Sequence, residues 1–287
     1  MAMKEPKVKI FVAHHKPWYV YEDDVYVPIQ VWKKNAKVDL WILWDDTWDN
    51  ISEKNSNYAE LTAQYWVWKN YDLSDVDYVW FCHYRRYLWY NINKKYWISF
   101  FEKKNWLYNN TAFLLLFLCW WQYRCKYSVD IMKEVSYNTQ KFIGCNPYDV
   151  FLAQRHFNPF YRPLHQLWLE NEELRKELKI IIVDLYPDYE ETIKIIDKQR
   201  KANLCNIFIM DKILFNEYCN WLFSILFVYE DTLNRKWLID LWIKEKITVG
   251  SRFLWCLAER LFNLRIEHKR WEWTKISNKA SIIFFKI

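Results

Sequence analysis

Two adjacent arginines follow a short apolar stretch in the sequence HYRRY, residues 83–87. The apolar stretch at residues 78–82 is typical of a buried strand, which places the arginines at the end of that strand. A guanidinium group can neutralise a diphosphate and bind it with two parallel hydrogen bonds. We therefore predict that Arg85 and Arg86 bind a diphosphate, with ordinary surface ion pairing as the alternative.

The same segment carries a histidine and two tyrosines. His83 could act as a base or as a hydrogen-bond donor, although a single histidine at a strand end is more often structural. Tyr84 and Tyr87 could stack on a nucleobase or a sugar ring. The segment is therefore the first candidate for a substrate site.

A second candidate is an acidic turn that follows another predicted strand. Asp45, Asp46 and Asp49 fall within five residues, a spacing that could ligate Mg²⁺ or Mn²⁺ or hydrogen-bond a ribose. A solvated Asp/Asn turn has the same composition. The residues alone leave both interpretations open.

A third candidate, Glu259, lies in a predicted helix at residues 252–268. Leucines recur on one stripe of this helix and further apolar residues flank the opposite side, which predicts a buried helix. A buried carboxylate needs a partner or a function. Glu259 is therefore a candidate catalytic base, and structural pairing with Arg260 is an equally good interpretation.

The elements that carry these residues alternate between strand and helix. Before residue 90, the pattern predicts strands at 7–13, 38–43 and 78–82 and a helix at 58–69. Asn57 and Glu60 resemble a capping box at the start of that helix. The order strand, turn, helix and strand is that of a βαβ unit, so a largely parallel sheet is expected.

We expect one domain over residues 1–287, with an N-terminal half at 1–90, a variable, irregular and helical insertion at about 91–200, and a C-terminal part at 201–287. That last part is predicted to contain a strand at 204–210, helices at 216–230 and 252–268, and a strand at 280–285. The longest apolar run, at 112–121, is shorter than the roughly 18 residues that cross a bilayer, so it is interpreted as a buried strand.

Charge and targeting signals favour a cytoplasmic protein. The N-terminal residues do not have the pattern of a signal peptide. A net charge of +6 without a long basic block favours polyanionic substrates or peripheral contact with the inner face of the cytoplasmic membrane. No recognised nucleic-acid motif occurs in the sequence, so nucleic acid is not an expected partner.

The composition is anomalous in two residue types. Glycine usually makes up about 7% of a chain, which would be roughly 20 residues here, yet this sequence has 2 glycines and 20 tryptophans. Trp41, Trp44 and Trp48 occupy a strand end and a turn, where glycine is the usual residue. We hypothesise that many of these tryptophans come from UGA codons that the native host reads as glycine; the alternative is an unusually tryptophan-rich protein.

Several stretches resemble the bacterial domain of unknown function 4422 family, found among capsular and exopolysaccharide glycosyltransferases: IFVAHHKP, DDTWDNISEKNSNYAELTAQYWVWKN, DYVWFCHYRRYL, NLCNIFIM and FLWCLAERL. The family usually has threonine where this chain has His14. It has glycine at the positions of Trp32, Trp41, Trp48, Trp80 and Trp255, and tryptophan at those of Trp66, Trp68 and Trp221. This division agrees with the recoding hypothesis.

The resemblance implies an α/β fold of the GT-A-like (Rossmann-like) type, in which a mixed, mostly parallel sheet is flanked by helices and the insertion lies on the acceptor side. It also implies transfer of a sugar, of the hexosyl or galactofuranosyl type, from a nucleotide-diphospho-sugar such as a UDP-sugar. The acceptor would be a glycan or a lipid-linked glycan.

On this interpretation, Arg85, Arg86, His83 and Glu259 are the catalytic residues, and the arginines replace the divalent metal of other GT-A enzymes. If a metal is used, Asp45, Asp46 and Asp49 would hold Mn²⁺ or Mg²⁺. The donor-binding residues would be His15, Lys16, Asp45, Asp46, Asp49, Asn50, Glu60, Tyr84 and Asn206.

The alternative function is a non-catalytic carbohydrate-binding or scaffold protein of a polysaccharide assembly complex. Such a protein would use genuine tryptophans as platforms for sugar rings. If Trp48 and Trp80 are genuine, we expect them to crowd a phosphate pocket, which would favour this alternative.

Overall fold

The computed structural model describes residues 5–89, 123–146, 148–153, 156–157, 172–199, 201–203, 206, 208–235, 252–271 and 276–286. Within these ranges, a nine-stranded mixed sheet is flanked by helices. The predicted buried strand at residues 112–121 and much of the expected insertion lie outside the described residues.

Eleven strands occur in the described part of the chain: β1 (Val8–His14), β2 (Tyr26–Gln30), β3 (Leu43–Trp44), β4 (Tyr78–His83), β5 (Arg86–Trp89), β6 (Tyr123–Lys126), β7 (Val150–Ala153), β8 (His156–Phe157), β9 (Lys201–Ala202), β10 (Phe208–Asp211) and β11 (Ile276–Lys286). β1 lies between β2 and β4 and runs parallel to both, and β3 extends this parallel part beyond β2. β10 and β5 run antiparallel to β4, so the other half of the sheet is mixed.

The helices of the described ranges are α1 (Asn55–Tyr58), α2 (Leu61–Asn70), α3 (Val129–Cys145), α4 (Glu172–Leu185), α5 (Glu190–Ile196), α6 (Lys212–Leu233) and α7 (Phe253–Trp271). Asp211 caps α6 by accepting a hydrogen bond from the backbone N–H of Ile213 at 2.8 Å. α6 then buries an apolar stripe that includes Tyr218, Trp221 and Leu222. α2, α4 and α7 pack against it.

The expected α/β architecture with a mostly parallel sheet is confirmed. β1, β4, α2, α6, α7 and β11 lie close to their predicted positions, because each has a strong local periodicity. Of the helices in the described ranges, none combines the length and the apolar character needed to span a bilayer.

The predicted strand at residues 38–43 is wrong, since only Leu43 and Trp44 form a strand. The side chain of Gln30 donates to the carbonyl oxygen of Val38 at 2.8 Å and accepts from the N–H of Leu40 at 3.0 Å. These bonds use backbone groups that a strand would offer to its neighbour. The segment therefore forms an irregular loop.

Three tryptophans adopt the left-handed backbone conformation: Trp32 at φ 60°, Trp41 at φ 56° and Trp48 at φ 48°. This conformation costs an L-residue roughly 1–2 kcal/mol and is the usual place of glycine. Trp41 and Trp48 are also 86% and 78% exposed, so their large rings gain little from burial. The backbone at these three positions thus supports the recoding hypothesis.

Trp80 and Trp255 have no left-handed backbone of this kind. Trp80 lies in β4 and is fully buried, and its indole N–H has no hydrogen-bond partner among the described residues. A buried donor without a partner is costly, which makes Trp80 a poor fit to its site. We expected Trp48 and Trp80 to crowd a phosphate pocket. In the structure, Trp80 lies in the core and Trp48 is exposed at the surface.

Candidate functional site

The candidate site begins where two parallel strands end side by side. β1 and β4 pair with Ala13 opposite His83, so His14, the last residue of β1, and His15 after it lie next to the end of β4. The rings of His15 and His83 are 5.6 Å apart, centroid to centroid. Ligands of open α/β sheets bind outside the carboxyl ends of the strands, and these histidines lie at that edge.

The predicted arginine pair lies on a hairpin and not on a single strand end. β4 ends at His83, a turn follows at Tyr84 and Arg85, and β5 starts with Arg86, which pairs with His83. The Arg85 guanidinium carbon lies 5.0 Å from the centre of the Tyr84 ring. Both arginines are half-buried, so their charges are partly desolvated beside the histidines.

The side chain of Tyr84 is buried and packs against other aromatic residues of the site. Its ring contacts His83 at 4.1 Å, His14 at 5.5 Å and Trp18 at 5.7 Å between centroids. Its outer neighbour is Arg85, so the structure gives Tyr84 the role of positioning that guanidinium. A nucleobase has no free face of Tyr84 to stack on in this arrangement.

Tyr87 is buried as well, with its ring 5.6 Å from that of Tyr26. Its place is the core beneath β5, because side chains alternate between the two faces of a strand. The suggestion that Tyr87 stacks on a base or sugar therefore does not fit the structure.

The histidines of the site are held in the neutral form. Burial, followed by the charge of His15, lowers the pKa of His14 to about 4. Burial, followed by Arg86, His15, Arg85 and His14, lowers the pKa of His83 to about 2. A neutral imidazole carries no charge, so at pH 7 these two rings add no positive charge to the site.

Burial and three cationic side chains lower the pKa of His15. Burial lowers its pKa, and Lys16, Arg252 and Arg85 lower it further. Arg252, which precedes α7, is a residue that the sequence analysis missed. Its only signal in the sequence was a basic residue at the first position of the predicted buried helix, and such residues are common at surfaces.

Glu60 brings a carboxylate to this group of residues. It lies directly before α2, and its Oε1 atom is 3.4 Å from Nε2 of His83. Its second oxygen, Oε2, is buried without a hydrogen-bond partner among the described residues. The predicted capping-box role is absent, because no side chain caps the start of α2.

Glu259 lies near the N-terminal end of α7 and is buried, as predicted. Its Oε2 atom is 3.8 Å from Nη1 of Arg260, so the structural pairing is present. Burial, followed by the charge of Glu259, raises the pKa of Cys256 to about 12, and Glu60 acts in the same direction. Glu259 and Glu60 therefore approach Cys256 from different elements.

Asn206 connects the region before β10 to α7. Its backbone is left-handed at φ 45°, and its side-chain amide donates to the carbonyl oxygen of Trp255 at 3.4 Å. The Oδ1 atom is buried without a partner among the described residues. Asn206 is thus close to the start of α7, which agrees with a position beside the site.

Asp45 is buried and accepts four hydrogen bonds from the chain itself. The donors are the hydroxyl groups of Ser52 and Thr62, at 2.7 and 2.5 Å, and the backbone N–H groups of Trp32 and Lys33, at 3.1 and 3.2 Å. Burial raises the pKa of Asp45, and these hydrogen bonds oppose the rise. Asp45 therefore fastens the loop after β2 to the start of α2.

The other residues of the acidic turn bond within the turn and to α2. Asp49 accepts from the Tyr65 hydroxyl at 3.0 Å, and Asn50 accepts from the N–H of Ser52 at 3.2 Å. Asp46 is half-buried. Among the described residues, no three His, Cys, Asp or Glu side chains converge as a metal site, so the turn does not fit the Mn²⁺ or Mg²⁺ of other GT-A enzymes.

The predicted residues thus fall into two groups. One group is gathered at the ends of β1 and β4 and along the start of α7: His15, His83, Arg85, Arg86, Glu60, Asn206 and Glu259. The other is the acidic turn at residues 45–50, which Asp45 and Thr62 join to the start of α2. Lys16 is exposed beside His15 and adds to the positive charge of the first group.

The comparisons with known proteins concern the family and the fold of the chain. The family model of a domain of unknown function, DUF4422, matches residues 9–270. A solved structure of the bifunctional glycosyltransferase WbbM in its apo form is similar, with a TM-score of 0.76 and 27% sequence identity. The similarity covers 98% of this chain but 46% of that one. No curated protein matches the chain. The fold is therefore of the GT-A-like α/β type.

Proposed function

The chain belongs to the DUF4422 family, and we propose that it is a glycosyltransferase that uses a nucleotide-diphospho-sugar as donor. The similarity to WbbM supports this class of activity. The chain spans less than half of the length of that bifunctional glycosyltransferase.

The observation that carries the proposal is the group of cations at the carboxyl edge of the sheet. Arg85 and Arg86 lie on one hairpin beside His83, and the charge of Arg252, directly before α7, acts on His15. The nearby histidines are neutral, so they add no further positive charge. A nucleoside diphosphate that leaves the sugar gains negative charge, and fixed guanidinium groups can stabilise that charge as it develops.

The second requirement of sugar transfer is activation of the acceptor hydroxyl. A carboxylate is a suitable base for this step. Glu259 and Glu60 both lie at the site, on α7 and before α2. In this proposal, the nucleotide part of the donor is bound by His15, Lys16 and Asn206.

The finer parts of the proposal follow from the family resemblance. The donor is a UDP-sugar of the hexose or galactofuranose type, and the acceptor is a glycan or a lipid-linked glycan of capsule or exopolysaccharide synthesis. The enzyme works in the cytoplasm or at the inner face of the cytoplasmic membrane, where such donors are made. The basic site suits a polyanionic substrate.

The exposed rings of Trp41 and Trp48 are the feature that favours a carbohydrate-binding scaffold. Both rings stand on left-handed backbone that suits glycine, which weakens that interpretation. Calorimetry with UDP-sugars separates the two functions, since a donor-using enzyme binds UDP-sugars and a glycan scaffold does not.

The test of the diphosphate role is Arg85→Ala. We expect loss of one guanidinium at the leaving group to lower kcat about 10²- to 10³-fold, as loss of one stabilising donor does in other enzymes. Sugar transfer is measured as release of UDP from a panel of UDP-hexoses and UDP-galactofuranose. Arg235→Ala is the matched control, because Arg235 forms an exposed ion pair with Asp231 on α6.

The same assay tests whether a metal carries the charge. The acidic turn does not fit a divalent ion, so incubation with EDTA is expected to leave the rate within about twofold of the untreated enzyme. Activity that disappears with EDTA and returns with Mn²⁺ would transfer the diphosphate role from the arginines to a metal.

A further inference from the structure

Glu60 occupies a distinctive position in the site. Its Oε1 atom is 3.4 Å from Nε2 of His83, and its Oε2 atom is buried with no partner among the described residues. Its side chain is 23% exposed, compared with 10% for that of Glu259. Since His83 is neutral, its Nε2–H can donate to Glu60 and orient the carboxylate without cancelling its charge.

The backbone before Glu60 is held in a strained conformation. Ala59 has φ 46° and ψ −127°, which an L-residue normally avoids. Its carbonyl oxygen accepts from the Asn55 side chain at 2.7 Å and from the N–H of Thr62 at 3.2 Å. Thr62 is in turn fixed by Asp45. Strain that is fixed in this way is concentrated at functional sites.

Glu259 is less well placed for a reaction with substrate. Its carboxylate lies beside Arg260, 3.8 Å away, and its side chain is only 10% exposed. This carboxylate is thus engaged in a structural ion pair and is little exposed to a substrate hydroxyl. Between the two carboxylates near Cys256, the geometry therefore favours Glu60.

Resting on the proposed sugar transfer, we propose that Glu60 is the catalytic base and that His83 is the residue that positions it. The Glu60 carboxylate takes the proton of the acceptor hydroxyl, and the acceptor oxygen forms a bond to the anomeric carbon of the donor. The bond from that carbon to the diphosphate oxygen breaks, and its electron pair leaves with the nucleoside diphosphate beside Arg85 and Arg86. The proton then passes from Glu60 to water.

A single displacement of this kind inverts the configuration at the anomeric carbon. The product of the wild-type enzyme is therefore expected to have the anomeric configuration opposite to that of the donor. NMR coupling constants of the product give this configuration directly. A product that retains the donor configuration would contradict the proposed step.

The first variant to measure is Glu60→Gln, which keeps the shape and removes the base. We expect kcat to fall about 10²- to 10⁴-fold, while the affinity for the UDP-sugar measured by calorimetry stays within about threefold. The matched control is Glu53→Gln, since Glu53 is exposed and pairs only loosely with Lys34 at 3.7 Å. An E60Q enzyme with nearly wild-type kcat would overturn the proposal.

A structural role of Glu60 is separated from a catalytic role by chemical rescue. Azide is an anionic nucleophile that needs no deprotonation, so Glu60→Ala is expected to form the glycosyl azide at a rate that exceeds its own transfer to the acceptor. A misfolded site would transfer to neither nucleophile, and circular dichroism and UDP-sugar binding check the fold. Loss of both reactions with UDP-sugar binding intact would also overturn the proposal.

His83→Asn tests the positioning role. The variant keeps a hydrogen-bond donor but moves it, so we expect kcat to fall less than in E60Q, with little change in the KM of the donor. If wild-type protein neither binds nor transfers any UDP-sugar of the panel, the proposed function itself is wrong. If it transfers sugar and E60Q does so equally well, only the role of Glu60 is wrong.

Discussion

The neutral histidines at the ends of β1 and β4 couple the site to the stability of the fold. The pKa of His14 is about 4 in the folded chain, whereas an unfolded histidine has a pKa of 6.5. A histidine with a lowered pKa stabilises the fold fully above pH 6.5, and this contribution is lost as the pH falls towards the folded pKa. The interval from pH 6.5 to 4 is therefore the one in which protonation of His14 destabilises the protein.

Replacing His14 with Phe tests this coupling. Neither ring nitrogen of His14 has a hydrogen-bond partner among the described residues, so an apolar ring should be tolerated. Between pH 7 and pH 4, wild type is expected to lose about 3 kcal/mol more unfolding free energy than His14→Phe. Urea unfolding of both proteins at several pH values measures the difference. Parallel pH curves would show that His14 does not titrate in this way.

The loops between strands explain the unusual tryptophans at the scale of the element. The turns at residues 32, 41 and 48 need left-handed backbone, which the polypeptide takes cheaply only at glycine. Trp66 is different, because it is buried on α2 and its indole N–H donates to the Thr47 hydroxyl at 2.9 Å. The structure thus distinguishes tryptophans that fit their element from those that do not.

Substitution of single tryptophans by glycine tests whether they fit their element. Trp41→Gly is expected to raise the unfolding free energy by about 1 kcal/mol, because it removes the left-handed strain of an exposed residue. Trp66→Gly, in the interior of α2, is expected to lower it by at least about 3 kcal/mol. Denaturant unfolding compares the two. Destabilisation by Trp41→Gly of the same size would mean that the exposed ring has a role of its own.

The recoding hypothesis has a direct test in the native host. Protein isolated from that host should have an intact mass lower than the mass calculated for 20 tryptophans. Peptides that cover residues 32, 41 and 48 should contain glycine. A mass that accounts for every tryptophan would contradict the hypothesis and would strengthen the scaffold interpretation.

At the scale of the whole molecule, the site is assembled from segments far apart in the chain. His15, Glu60, Arg85 and Arg252 belong to four different segments that meet at one edge of the sheet. A ligand that binds across them should therefore stabilise the entire fold. UDP at 100 times its Kd is expected to add about 2.7 kcal/mol to the unfolding free energy.

This stabilisation is measured as a rise in Tm with UDP concentration, and roughly 5 °C is expected for a chain of this size. The Arg85→Ala variant should show a much smaller rise, while Arg235→Ala should match wild type. An equal rise in the Arg85→Ala variant would place the diphosphate elsewhere on the molecule.

The sequence by itself determined the class of fold, the main elements and the family. Strands β1 and β4 and helices α6 and α7 were predictable because apolar periodicity is a local property of the chain. The segments 83–86 and 259–260 were recognisable as candidate chemistry because a pair of guanidinium groups can bind a diphosphate and a buried carboxylate needs a partner or a function. The mismatch of tryptophan and glycine was evident from composition alone.

Only the tertiary structure decided which contacts these residues make. It placed the Tyr84 ring against the Arg85 guanidinium and gave Asp45 four hydrogen bonds from the chain itself. It also brought Glu60 to His83, 23 positions away in the chain. Local patterns cannot specify such contacts, because they depend on strand register and on how helices pack across the sheet. For the same physical reason, the sequence left Glu259 open as either a candidate base or a structural partner of Arg260, and the contacts of Glu60 that support our proposal became visible only in the packed structure.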